Sequence, residues 1–241
     1  MLQLARRTDA ASDLQVGRKL PLLDASGTTI GEVQIAIRTN PNTGALEFRA
    51  PLTWTGVRQY RHADGSVTRE LRRPEQVFSP SHLRGLRLLV CTADHPSLED
   101  GTPVYLDARG GPDVTSPDGS ALRPASDFQT GHTGDTIERS IVDGYPVPVA
   151  LVSTTDRKAI GMIAAGRTQT SLGYTALLDE LDAPGVWEGP HGPEEYDVEH
   201  VLDHDDPRVR AAVEAGLLPE VELLVDGEVR KVPAIGPNHF A

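Results

Sequence analysis

The chain has one cysteine, Cys91, in 241 residues. That excludes an internal disulfide framework and any multi-cysteine zinc site, and it points to a reducing, cytoplasm-like compartment. Cations are scarce too: 23 Lys and Arg stand against 35 Asp and Glu, a net charge of −12. Such a surface repels nucleic-acid phosphates, which argues against a DNA- or RNA-binding role. Long apolar runs are missing. No stretch reaches the ~18 residues of a membrane span, and the opening Met1-Leu2-Gln3-Leu4-Ala5-Arg6-Arg7 lacks the apolar segment of a secretory signal. Internal repeats and heptad arrays are absent as well. What remains is 38% hydrophobic residues which, with 23 glycines, suffice for the core of one large domain or a domain with an appendage.

Glycine and proline, 23 and 19 of them, cut the chain into short segments. That pattern predicts a mainly β protein rather than a helical bundle. Thr28 to Ile37 alternates, with Val33, Ile35 and Ile37 on one side, and Pro41-Asn42-Thr43-Gly44 reads as a turn into a returning strand from Ala45 to Thr55. Leu86 to Cys91 is a compact apolar run of strand length. Gly134 to Val142 and Val147 to Ser153 read as a pair around Asp143-Gly144, and Val221 to Val225 and Glu228 to Val232 flank the hairpin signal Asp226-Gly227. Two segments predict helix: Arg157 to Ala165, capped by Thr155 or Asp156 and stopped by Gly166, and a second running from Asp206-Pro207 to Gly216. Residues 101–126, rich in Gly, Pro, Asp and Ser, read as a mobile surface loop.

Chemistry has few places to sit. His62 and His82 lie in polar, turn-like surroundings and read as solvated. His200 and His204, four apart, would share one helix face and form a metal pair. The Asp205-Asp206-Pro207 that follows looks like a helix start, so a polar loop is the competing reading. His95, in Thr92-Ala93-Asp94-His95-Pro96, comes directly after an apolar run. It reads equally as a strand-end cap and as a catalytic side chain held on a rigid element. Ser171, in Thr170-Ser171-Leu172-Gly173-Tyr174, enters a strand without a Gly-x-Ser-x-Gly elbow, and Gly173 lets another group approach closely. A serine becomes a nucleophile only beside a base, and none is local; His95 leads the candidates from elsewhere in the chain.

These motifs, in this order, resemble the tailed-phage prohead protease family. The resemblance starts in Leu52-Thr53-Trp54-Thr55-Gly56-Val57-Arg58-Gln59-Tyr60 and runs through Arg69-Glu70-Leu71-Arg72-Arg73-Pro74-Glu75-Gln76-Val77-Phe78 and Asp94-His95-Pro96. It continues through Thr130-Gly131-His132-Thr133-Gly134-Asp135 and Thr170-Ser171-Leu172-Gly173-Tyr174 to Pro237-Asn238-His239-Phe240-Ala241. On that footing residues 48–241 form a protease-like domain with a helix-hairpin insertion at 197–232, and residues 1–47 a β-hairpin extension. The family's chain normally continues past the position of Ala241, so the resemblance marks the C-terminal end as truncated.

The resemblance implies a serine endopeptidase related to the herpesvirus maturation protease (assemblin), on an antiparallel β-barrel flanked by helices. It implies Ser171 as nucleophile, His95 as base and His239 as third member, with His132 as the rival for that place. No cofactor, metal, nucleic acid or membrane is implied. Partners would be phage scaffold and major capsid protein, cleaved inside the assembling prohead in the host cytoplasm, with a homodimer as one mode of activation. The competing readings are a non-catalytic capsid assembly protein of the same fold, and a metal-dependent hydrolase on His200 and His204. With an ordinary histidine pKa at His239, activity would fall as pH drops through roughly 6.5.

Overall fold

The computed structural model describes residues 1–8, 12–13, 16–61, 64–99, 104–107, 121–225 and 228–241. As the Gly/Pro punctuation predicts, the protein is mainly β. Its first strands are β1 (Leu2–Thr8), β2 (Ser12–Asp13), β3 (Lys19–Leu23), β4 (Thr29–Gln34), β5 (Arg38–Thr39), β6 (Leu46–Pro51), β7 (Gly56–Arg61) and β8 (Val67–Arg72). Helices α1 (Pro74–Val77) and α2 (Pro80–Leu86) lead to β9 (Val90–Thr92), β10 (Val104–Asp107) and β11 (Ala121–Pro124). A long hairpin of β12 (Gln129–Val142) and β13 (Tyr145–Thr154) precedes α3 (Arg157–Ala164), β14 (Gln169–Thr170), β15 (Leu172–Gly189) and β16 (Gly192–Val201). The chain continues through α4 (Pro207–Glu214), β17 (Glu220–Val225) and β18 (Glu228–Pro233) to β19 (Gly236–Phe240).

Thirteen strands form one sheet whose main path runs β5-β6-β13-β12-β9-β19-β15-β16-β8-β7, with β1 on β15, β3 on β12 and β4 on β3. Most pairings are antiparallel; β19 with β9 and β16 with β8 are parallel. Among the described residues the path is open at β5 and β7 and does not close into a barrel. Residues 1–47 are woven into this sheet: β1 runs along β15 from Leu2↔Asp179 to Thr8↔Gly173, and Ala5, Leu20, Val33 and Ile35 sit in the main core with Phe48, Leu52, Val149 and Tyr174. A second cluster of Leu177, Val201, Val209, Ala212, Leu218 and Ile235 seats α4 against the sheet. Residues 197–201 belong to β16 of the main sheet, so the helix and hairpin branch off after it.

Local chemistry accounts for several element ends. Asp156 accepts from the Ala159 N–H at 2.8 Å to start α3, and Gly166, at φ +87°, stops it. Asp206 caps α4 ahead of Pro207. The β12–β13 turn is made by Asp143 and Gly144, both at positive φ, as a two-residue hairpin requires.

The structure corrects several expectations. Pro41–Gly44 does make a turn, but it joins only β5 to the start of β6; Thr29–Gln34 turns back on Lys19–Leu23. That earlier turn is built by the Asp24 carboxylate, which accepts from the Ser26 and Thr28 N–H groups. Leu86–Cys91 is split. Leu86 ends α2, whose cap is Ser79 before Pro80, and only Val90–Thr92 is strand. Periodicity could not separate these cases in so short an apolar run. Residues 101–126 are not all loose: Val104–Asp107 pairs in parallel with Ala121–Pro124, and Val104, Leu106 and Ala125 form a small buried cluster. Residues 101–103, 108–120, the Asp226-Gly227 turn and His62 lie outside the described residues.

His82 and His200 were expected in solvated settings, and both are buried. On β16, His200 donates from Nε2 to the Glu70 carboxylate at 2.5 Å and accepts the Tyr174 hydroxyl at Nδ1, 3.0 Å away. Arg7 holds Glu70 from the other side at 3.1 and 3.2 Å. Burial keeps His200 neutral, down to about 4, against the pull of the Glu70 carboxylate. Glu70 itself stays ionised: burial raises its pKa, but the hydrogen bonds from His200 and Arg7 outweigh that and lower it.

Candidate active site

Three adjacent strands, β9, β19 and β15, carry the groups that matter. His95 lies just past the end of β9, His239 within β19, and Ser171 at the first residue before β15. The register Gly173↔His239, Leu172↔Phe240 and Phe240↔Cys91 stacks them side by side. Ser171 is pinned by two backbone bonds with Ala241: its N–H donates to the Ala241 oxygen at 2.7 Å, and the Ala241 N–H returns to the Ser171 oxygen at 2.8 Å.

The side chains meet. Ser171 Oγ is 2.7 Å from His95 Nε2, and His95 Nδ1 is 2.7 Å from His239 Nε2. The two rings stand edge to face, with centroids 5.0 Å apart and planes at 70°. His239 continues the line from Nδ1 to Asn238 Oδ1 at 3.0 Å. That amide is in turn bound to the backbone of Leu106, accepting its N–H at 3.0 Å and donating to its carbonyl at 2.9 Å. Gly173 explains how His239 fits. A Cβ there would stand 2.2 Å from His239 Cε1 and 2.5 Å from Nε2, so the absence of a side chain makes room for the imidazole.

His132 is not part of this line. It is exposed on β12, paired with Val90 and Ser153, while its neighbour Gly131 packs onto the Ser153 carbonyl. The tight strand entry explains its Gly-His-x-Gly context. His200 and His204 do not converge either: His200 faces Glu70, and His204 Nε2 meets the Ile235 carbonyl at 3.1 Å. Among the described residues no group of three or more His, Cys, Asp or Glu could hold a metal ion.

Ser171 and His95 open into a cleft of about 510 Å³. Phe48, Val152, Ala159, Met162, Ile163 and Phe240 make much of its wall apolar, beside the neutral polar Thr92, Thr130, Thr154, Thr168 and Gln169. The charged pair at its rim, Arg167 and Asp94, is self-compensating at 3.0 Å. Cys91 also borders the cleft, but burial pushes its thiol up to about 12, which leaves it un-ionised and inert.

Electrostatics keep both histidines neutral. Burial, helped by the Arg6 guanidinium, lowers the His95 pKa against the opposing pull of Asp94. His239 is fully buried, and burial with repulsion from His95 and Arg6 pushes it down to about 3. His239 is therefore not the group that titrates near 6.5. His82 behaves alike: both its ring nitrogens lack hydrogen-bond partners among the described residues, and burial, then Arg72 and His204, holds it neutral to about 3.

A histidine with a depressed folded pKa contributes stability that is present above the unfolded value of about 6.5 and lost below it. For His82 and His239 the window runs from about 6.5 down to about 3. From pH 7 to pH 5 the two together should remove about 4 kcal/mol of unfolding free energy. Urea titrations at the two pH values measure this. His82→Leu should reduce the measured loss by about 2 kcal/mol and, by removing an unsatisfied buried group, stabilise the protein at pH 7 by about 1 kcal/mol. Equal pH sensitivity in variant and wild type would contradict the assignment.

Asn238 is the member that sequence reasoning passed over. It lies within Pro237-Asn238-His239-Phe240-Ala241, and the signal for it is a polar amide next to a predicted catalytic histidine. Its partner, Leu106, is 132 positions away, so no local pattern announces the contact. Searches against protein-family models, curated proteins and solved structures found no match to this chain.

Proposed function

We propose that the protein is a serine endopeptidase of the Ser–His–His type, with Ser171 as nucleophile, His95 as general base and His239 as the group that orients His95. The observation that carries the reading is the unbroken line of 2.7 Å contacts from Ser171 Oγ through His95 to His239. In the first step Ser171 Oγ bonds to the amide carbonyl carbon while its proton passes to His95 Nε2. The C–N bond then breaks as His95 returns that proton to the leaving amine. Water, deprotonated by His95, releases the acyl group and restores Ser171. A neutral histidine stabilises the His95 imidazolium less than a carboxylate would, so turnover is slow. A substrate packed beside the enzyme at high effective concentration offsets that.

The cleft supports a substrate class. Its lining is largely apolar with neutral polar groups, and its charged side chains, Asp94 and Arg167, pair with each other. It therefore suits an uncharged, mainly apolar side chain next to the cleaved bond; a charged one would be desolvated without a counter-ion. Resemblance to the prohead proteases extends the proposal to an assemblin-type fold and to scaffold and capsid proteins as substrates inside an assembling prohead. It is supported by the order His95, Ser171, His239 along the chain and by the mainly β sheet that carries them.

Alkyl fluorophosphonates with mass-spectrometric mapping test the reading. The expected adduct is on Ser171, forming faster as the alkyl chain lengthens and slower with a charged substituent. Adducts elsewhere, or none, would overturn the nucleophile; a rate indifferent to chain length would overturn the apolar subsite alone.

The pH dependence follows from His95. It works only unprotonated, and its pKa is lowered by burial and Arg6, so activity should hold as pH falls to 6.5 and decline below it. The sign is that of a base: protonation on the acid side removes activity. A kcat/KM profile with its acid limb above 6.5 would contradict the burial argument.

A further inference from the structure

The proton positions of the triad are fixed from outside it, by the backbone of β10. Leu106 presents one N–H and one C=O to the Asn238 amide, at 3.0 and 2.9 Å. Only one orientation satisfies both, with Oδ1 on the N–H and Nδ2 on the carbonyl; the flipped amide would set donor against donor and acceptor against acceptor. Oδ1 therefore also faces His239 Nδ1 at 3.0 Å, and as a pure acceptor it requires a proton there. A neutral imidazole carries one N–H, so His239 Nε2 is left with a lone pair. That lone pair accepts the Nδ1–H of His95, and His95 Nε2 is then free to accept the Ser171 hydroxyl proton. Every protonation choice down the line follows from the backbone of one residue.

We infer that Asn238, locked by Leu106, is a positioning residue that sets the tautomers of His239 and His95 in the orientation base catalysis needs. The inference rests on the Ser171–His95–His239 reading and adds the group that makes it directional. The clamp is partly enclosed: His239 is fully buried, Asn238 is half-buried, and Leu106 and Val104 lie in their own small core with Ala125. Other titratable and charged groups facing the two histidines are Arg6 on β1, which lowers both, and Asp94 beside His95. Neither contacts His239 Nδ1 among the described residues, so the tautomer is left to Asn238.

Two variants and one spectrum test this. Long-range proton–nitrogen correlation spectra of the full chain should show His239 protonated at Nδ1 and not at Nε2. Asn238→Leu, close in size but unable to accept, should lower kcat on the order of 10²-fold with KM nearly unchanged, short of the ~10⁴-fold that a fully wrong tautomer costs in a Ser–His–Asp site. Its acid limb should move to lower pH, because His95 loses the oriented lone pair that favours its charged form. Asn238→Asp keeps an acceptor toward His239 but sets an oxygen against the Leu106 carbonyl, so it should recover part of the rate and move the limb to higher pH. A merely structural role would lower activity in both variants without shifting the limbs in opposite directions. Nε2-protonated His239 in the wild type, or a wild-type rate and profile in Asn238→Leu, would overturn the inference. Failure of Ser171 to label while His239 stays Nδ1-protonated would sink the peptidase reading and leave the clamp standing.

Discussion

Ser171→Ala is expected to abolish peptide cleavage, lowering kcat by at least about 10³-fold, while the thermal midpoint barely moves. The hydroxyl is the only atom lost. The two backbone bonds that pin residue 171 to Ala241 do not involve the side chain, so the strand geometry survives. His95→Ala should cost a similar factor, and the double variant little more than either alone, because nucleophile and base act as one unit. Independent, additive losses would mean that the 2.7 Å contact between Ser171 and His95 is not the working one. Cleavage that persists in Ser171→Ala would remove Ser171 as the nucleophile.

Gly173→Ala is the second large effect, and it reaches the site without touching a reacting group. The added methyl would lie 2.2 to 2.8 Å from three atoms of the His239 ring, and His239, fully buried, has nowhere to withdraw. The ring must turn, which breaks its bond to His95, to Asn238, or to both. We expect kcat to fall by about 10²-fold or more, as a displacement near 1 Å does in an oriented site. Stability should drop by about 1–3 kcal/mol from overpacking. Combining the change with His239→Ala separates the two: the cavity then receives the methyl, so stability recovers, but activity does not. A Gly173→Ala variant as active as the wild type would show that His239 does not need its observed position.

The sequence made parts of this legible. Asp156 with Gly166, and Asp206 with Pro207, announced α3 and α4 because caps and stops are local chemistry. Asp143-Gly144 announced the β12–β13 turn for the same reason. Ser171, His95 and His239 were singled out by their order along a family-like chain, and the structure brings those three side chains together. Burial of polar residues could not be read. His200 sits among Asp and Glu in the sequence, yet its partners are Glu70, 130 positions earlier, and Tyr174 across the sheet. His82 follows a Ser-Pro helix start that looks like a surface turn, and only tertiary packing encloses it. The pairing of residues 104–107 with 121–124 was hidden for a similar reason. It is a short parallel ladder inside a stretch whose composition signals loop, and parallel partners carry no turn motif to betray them.

The place of β19 between β9 and β15 has a temporal consequence. The strands bearing base and nucleophile do not pair with each other; the late-synthesised strand joins them. A nascent polypeptide that has left the ribosome only as far as Ser171 lacks the wedge that sets the distance between the two. On the proposed function, cleavage cannot begin until translation has passed His239.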